Sequence, residues 1–165
     1  NVHYSAFVVG HFHYVLGMAM TLGAFSGVYF WYPKITGRMF PEGLGKTSFW
    51  LMMIGANLLY FTMMMAGIEG LPRRYVDYPD IANWASLNEL STIGAFILAA
   101  GVLVSFIAWI RGLKGPEAGS DPWGSPSLGW TTTSPPPPHN FLSFPVEVAD
   151  DWTPYRYTDD SSEKS

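Results

Sequence analysis

Three stretches of this chain carry no Asp, Glu, Lys or Arg: Ser5 to Tyr32, Thr47 to Ile68 and Leu90 to Ile110. A helix that crosses a bilayer needs about 20 mainly apolar residues. All three runs reach that length, and a strand is far shorter. The sequence therefore predicts an all-α integral membrane protein with three transmembrane helices. Charged residues make up only 13% of the 165, against about 25% in a soluble domain. The chain has no cysteine, which excludes disulfides and thiolate metal sites. It opens on Asn1 with no basic n-region, so no signal peptide is visible, and the lack of an initiator methionine reads as a processed or truncated chain.

The breakers set the expected boundaries. Segment one runs from about Tyr4 to Tyr32 and stops at Pro33. The loop after it contains Gly37, Pro41, Gly43 and Gly45. Segment two covers about Lys46 to Ala66, and Gly67, Gly70 and Pro72 end it. Segment three starts near Ser86 or Asn88, either of which suits an N-cap, and ends at Arg111-Gly112. Two parts result: residues 1–112, three helices, and residues 113–165, a Pro/Gly-rich acidic tail, whether extended, docked or flexible. From Glu117 onward there are eight acidic residues and two basic ones, Arg156 and Lys164.

Lys34, Arg38 and Lys46 in the first loop, with Arg111 and Lys114 after segment three, share one side if three helices alternate. Arg73 and Arg74 are on the other. That bias puts the first loop and the tail on the cytoplasmic or matrix side, and the N-terminus outside. An adjacent arginine pair on the outer side runs against the bias and asks for a specific partner.

In "SAFVVGHFHYVLGMAM", His11 and His13 lie two residues apart. On an α-helix they project about 200° apart, so they cannot share one small ion. Each could hold a different large cofactor, because neutral imidazole is a haem axial ligand. Gly10 removes bulk beside His11. Hydrogen bonding to neighbouring helices is the simpler alternative for the pair.

"FVVGHFHYVLGMAM" resembles the tenth helix of subunit I of the haem-copper oxidases (the cytochrome c oxidase type), whose pattern is V-V-[AG]-H-F-H-Y-V. "GLPRRYVDYPD" resembles that family's loop before its last helix, and "DPWGSPSLGWTTTSPPPPHNF" its bacterial-type tail. The resemblance implies that the three spans complete a twelve-helix bundle as helices ten to twelve. It implies that His11 ligates the high-spin haem iron, where oxygen is reduced, and is the catalytic residue. His13 would ligate the low-spin haem, Phe12 would lie between the two, and Arg73 and Arg74 would pair with haem propionates. The implied cofactors are haem a and haem a3, with CuB ligated by another segment. The implied activity is reduction of oxygen to water coupled to proton translocation, in a complex that is not active as this chain alone. The implied partners are the N-terminal part of subunit I, subunits II and III, cytochrome c or quinol as donor, and membrane lipid, with no nucleic acid. The implied setting is a bacterial or archaeal plasma membrane or the mitochondrial inner membrane.

Some positions depart from the family. Where it reads H-D-T-Y, this chain reads His3-Tyr4-Ser5-Ala6. His3 stays a candidate magnesium or manganese ligand, but the carboxylate is gone; a helix cap or a propionate contact are its other readings. Phe61-Thr62-Met63-Met64-Met65 stands where many members have a Pro-Gln/Met-His patch, and the three methionines read as packing rather than copper ligands. Asn57 and Asn88 are candidates for interhelical hydrogen bonds, and Glu89 for a proton-path group or, the simpler reading, an interfacial carboxylate favoured by a helix N-terminus. Two other classes stay open: a di-haem b-type electron-transfer subunit and a cofactor-free structural subunit.

Overall fold

The computed structural model describes residues 2–79, 83–125, 127–139 and 141. Three helices long and apolar enough to cross a membrane organise it: α1 (Ala6–Thr36), α2 (Glu42–Ile68) and α3 (Trp84–Gly112). Among the described residues there is no strand, only two isolated bridges. Within the most apolar window of each helix only 17%, 33% and 22% of residues are buried by the chain itself. The remaining apolar faces need lipid or further helices around them.

The tightest packing joins α2 to α3. Their backbones meet at Gly55 and Gly94: a Cβ on Gly94 would lie 2.9 Å from the Gly55 carbonyl oxygen. Small residues allow this approach, and hydroxyls then bond across it. Ser48 Oγ donates to the Gly101 carbonyl at 2.9 Å and shares a short hydrogen bond with Ser105. Tyr29 of α1 donates to the same Ser105 at 3.1 Å. The first half of α1 lies against the end of α2, where a Cβ on Gly67 would meet Phe7 Cα at 2.6 Å. Farther along, α1 reaches α3 through Phe25 and Tyr29 against Trp109.

The observed boundaries correct several of those expected. Pro33 does not end α1; it lies inside the helix and is buried. The turn around it is held by one tertiary bond and one bond within the helix. Tyr32 Oη donates to the Trp109 carbonyl at 2.6 Å, and Thr36 Oγ1 to the Tyr32 carbonyl at 2.8 Å. The stop is Gly37, with φ 72° in the left-handed region that glycine adopts freely. Helix α2 starts four residues early because Pro41 supplies an extended N-cap, so Gly43 and Gly45 are helical. Helix α3 starts at Trp84, which places Ser86 and Asn88 inside it rather than at its cap. Glu89 then falls beyond the first turn, where the helix dipole no longer favours it.

Two π-helical stretches interrupt the long helices: His13–Met18 in α1 and Asn57–Phe61 in α2. A wide turn leaves carbonyls short of helical partners, and in an apolar medium these must be satisfied. In α2, side chains add bonds at and beside the wide turn, although Met53 O and Leu59 O also accept backbone N–H groups. Asn57 Nδ2 donates to Met53 O at 2.8 Å, Thr62 Oγ1 to Leu58 O at 2.6 Å, and Ser91 Oγ to Leu59 O at 3.1 Å.

After α3 the chain folds back on the first loop. Met39 N donates to Pro116 O at 2.9 Å and Ala118 N to Gly37 O at 3.0 Å. Lys34 is not a headgroup charge: it is 8% exposed, and its ammonium donates to Thr132 O at 2.6 Å and Ser120 O at 3.2 Å. Lys34→Met keeps the stem and removes both bonds. Charge-assisted hydrogen bonds contribute about 1.5–3 kcal/mol each. Protease cleavage between Gly115 and Pro135 should therefore become at least about tenfold faster in the assembled protein; an unchanged rate would remove Lys34 as the anchor.

Candidate functional site

The site begins where the start of α1 meets the loop after α2. Ser5 caps α1, its Oγ accepting from Phe7 N at 3.3 Å, so His3 is not the cap. Ala6 N donates to Leu71 O at 2.8 Å and Arg73 N to Tyr4 O at 2.9 Å. This pairing brings Pro72-Arg73-Arg74 beside the head of α1. The Arg73 guanidinium lies 5.0 Å from the Tyr4 ring centroid, a cation–π contact. Tyr4 (φ 70°) and Arg74 (φ 68°) both hold left-handed backbone that side-chain-bearing residues rarely adopt. Such strain persists only where surroundings impose it, and it clusters at functional sites. Arg73 is half-buried and Arg74 exposed. Among the described residues neither is paired with a carboxylate; the salt bridge there is Lys46–Glu42 at 2.8 Å.

His11 lies five residues past Ala6, the first residue of α1, about 7.5 Å along the axis at 1.5 Å per residue. Its ring stacks on Phe7, one turn back on the same helix, at 5.9 Å and 12°. His13 has different neighbours: the Tyr60 ring of α2 at 5.9 Å and 17°, and the Phe12 edge at 5.0 Å and 86°. The two imidazoles thus face different surroundings, and both are exposed on the outside of this chain. Phe12, between them, is 52% exposed.

The His13 ring is chemically committed. Its Nδ1 lies 2.9 Å from the Val9 carbonyl oxygen. A carbonyl only accepts, so Nδ1 carries the proton, and the Nε2 of a neutral ring keeps a free lone pair. An axial ligand needs that arrangement, with the far nitrogen fixed by a backbone carbonyl. His13 therefore fits a haem iron. His11 is exposed and accessible, and it fits as a single ligand. No group of three or more His, Cys, Asp or Glu that could hold a bare ion occurs among the described residues. His3 lies exposed against Tyr4, at 4.4 Å between ring centroids.

The other candidates resolve into packing or anchoring. Gly10 is buried against α2, where a Cβ would lie 2.9 Å from both Met64 Cγ and the Tyr60 carbonyl. It makes room for a helix rather than for a group beside His11. Asn57 does bond between helices, accepting from Tyr14 Oη at 2.9 Å, although it is exposed on this chain. Asn88 donates to Tyr78 Oη at 2.7 Å and ties down the loop instead of a helix. Tyr60 carries no signal in the sequence, because its place beside His13 depends on the wide turn in α2.

The profile of the family described as Cytochrome C and Quinol oxidase polypeptide I matches residues 1–97. The chain is 46% identical over 140 residues to the heme-copper oxidase subunit I+III of Aeropyrum pernix, covering 84% of this chain and 17% of that protein. It is 44% identical over 144 residues to a putative cytochrome c oxidase subunit 1-beta of Streptomyces avermitilis, covering 86% of this chain and 26% of the relative. It is 41% identical over 156 residues to cytochrome c oxidase subunit 1 of Cereibacter sphaeroides, covering 91% and 26% respectively. The chain thus spans about a quarter or less of the length of these relatives.

Proposed function

This chain belongs to the cytochrome c and quinol oxidase polypeptide I family of haem-copper oxidases, an integral membrane family of respiratory oxidoreductases, and we propose that it supplies one axial histidine to each of two haems in the catalytic subunit. The observation that carries this is the His13 ring, with Nδ1 tied to Val9 and Nε2 left to ligate. His13 would hold the low-spin haem and His11 the high-spin haem, of types a and a3. Bound haem supplies a one-electron redox centre and, at the high-spin site, a place for oxygen to bind. The reaction served is four-electron reduction of oxygen to water coupled to proton translocation.

The three helices would complete a twelve-helix subunit I bundle together with its N-terminal part, which would also carry CuB. Subunits II and III, and cytochrome c or quinol as donor, are the proposed partners. The N-terminus would face outside, and residues 113–165 the cytoplasm or matrix. His3 would contribute to a magnesium site only if a carboxylate came from elsewhere.

Arg73 and Arg74 would bind propionates, since guanidinium forks onto carboxylates and stays charged. Their place beside the head of α1, at the end of the helix nearer His11, supports this role. A unit charge roughly 10 Å away at an effective dielectric of about 20 is worth about 1.7 kcal/mol. At about 59 mV per tenfold for one electron, that is on the order of 70 mV. Removing positive charge favours the oxidised form, so the midpoint potential falls. Arg73→Gln or Arg74→Gln should lower the potential of the nearby haem by tens of mV with both haems retained, and Arg→Lys should shift it less. Redox titration of the purified complex checks this. Unchanged potentials in both Gln variants would leave the pair as lipid-headgroup anchors.

A further inference from the structure

Tyr60 touches the His13 ring from a different helix, and nothing in the oxidase reading requires that contact. One hydrogen bond, from Nδ1 to Val9 O, fixes where the imidazole edge lies but leaves the ring free to rock about it. A second flat surface is needed to set its plane. Tyr60 supplies one, nearly parallel at 17° and offset at 5.9 Å. The Phe12 ring stands nearly perpendicular to the imidazole, at 86° and 5.0 Å between centroids.

The position of Tyr60 is itself held. It lies in the π-helical stretch Asn57–Phe61, opposite the stretch His13–Met18 in α1. Tyr14 Oη donates to Asn57 Oδ1 at 2.9 Å, joining the two wide turns, and Asn57 Nδ2 donates to Met53 O at 2.8 Å. Tyr14 follows His13 directly, so the bond locks the backbone that carries the histidine to the turn that carries Tyr60. Wide turns inside helices recur at functional positions because they re-aim side chains.

We propose that Tyr60, held in place by the Tyr14–Asn57 bond, is a positioning residue that sets the plane of the His13 imidazole toward the low-spin haem. This rests on the reading of His13 as an axial ligand. Partners beyond the ligand itself commonly fix its orientation and tune the metal. The plane of an axial imidazole decides how its π orbital meets the iron d orbitals. It therefore sets the g-value spread of the low-spin ferric signal.

The test uses the purified oxidised complex, with electron paramagnetic resonance for the plane and haem absorbance for occupancy. Tyr60→Leu keeps bulk and removes the flat face. It should displace the largest low-spin g value beyond the wild-type linewidth at unchanged haem content. Tyr60→Phe keeps the face and should retain the wild-type g values. Tyr14→Phe removes only a hydroxyl and should displace the signal in the same direction, by less. Wild-type g values in Tyr60→Leu, or equal displacement in Leu and Phe, overturn the proposal. Where Tyr60→Leu does not assemble, wild-type g values in Tyr14→Phe overturn it. His13→Ala serves as reference: if the low-spin signal survives there, the ligand assignment fails, separately from the role of Tyr60.

Discussion

A complex carrying His13→Ala is expected to lose its low-spin haem and keep the high-spin one, and His11→Ala to do the reverse. The asymmetry follows from the surroundings of the two rings. His11 stacks on Phe7 of its own helix, and His13 faces Tyr60 of α2, so neither can swing over to replace the other. Alanine leaves no donor atom, and a backbone carbonyl in helical hydrogen bonding does not ligate iron. Changes to the partners that merely orient a ligand cost about 10–100-fold in metal affinity or activity. Removing the ligand itself should cost more than about 100-fold in turnover. Oxygen consumption and the reduced-minus-oxidised spectrum of each variant check this.

Gly94→Leu is expected to abolish assembly. The new Cβ would lie 2.9 Å from the Gly55 carbonyl oxygen and 2.9 Å from the Leu58 carbonyl carbon. Both are backbone atoms of the facing helix, so no side-chain rotation relieves the clash, and α2 and α3 must separate. Overpacking a core costs about 1–3 kcal/mol even where side chains can shift. Separation here would also break the bonds of Ser48 to Gly101 and of Ser91 to Leu59. A native gel should show little or no assembled complex, and Gly94→Ala should give a reduced amount. Gly43→Ala is the control: nothing lies within 4 Å of its Cβ, and alanine favours a helix by about 1 kcal/mol over glycine.

The three spans were legible because a charge gap of membrane length seldom arises in a soluble fold, and the structure places a helix over each. Their ends were not. Pro33 reads locally as a stop, but bonds from Tyr32 to α3 and from Lys34 to residues beyond Lys114 carry the helix through it. The same distant bonds make Lys34 a buried anchor, whereas a tally of positive charges treats it as exposed. The histidine pair and the arginine loop stood out as motifs. The docking of the arginine loop on the head of α1 did not, because it depends on the pairing of Ser5 with Pro72 across most of two helices. The wide turns left no periodic trace. Around the one in α2, Asn57, Thr62 and Ser91 add side-chain bonds to carbonyls of that stretch, polar residues that an apolar span would otherwise not need.

Imidazole rescue tests most directly whether His11 and His13 hold different haems. His11→Gly and His13→Gly each leave space for one added imidazole molecule. Magnetic circular dichroism of the oxidised complexes, with and without imidazole, detects a ferric haem whether or not it is spin-coupled to copper and reads the two haems separately. His13→Gly is predicted to lack the low-spin signal and regain it with imidazole, with the high-spin signal untouched. His11→Gly is predicted to keep the low-spin signal and to recover a ligated high-spin site only when imidazole is added. Both signals persisting in both variants, or imidazole acting on the same haem in each, would contradict the assignment of one histidine to each haem.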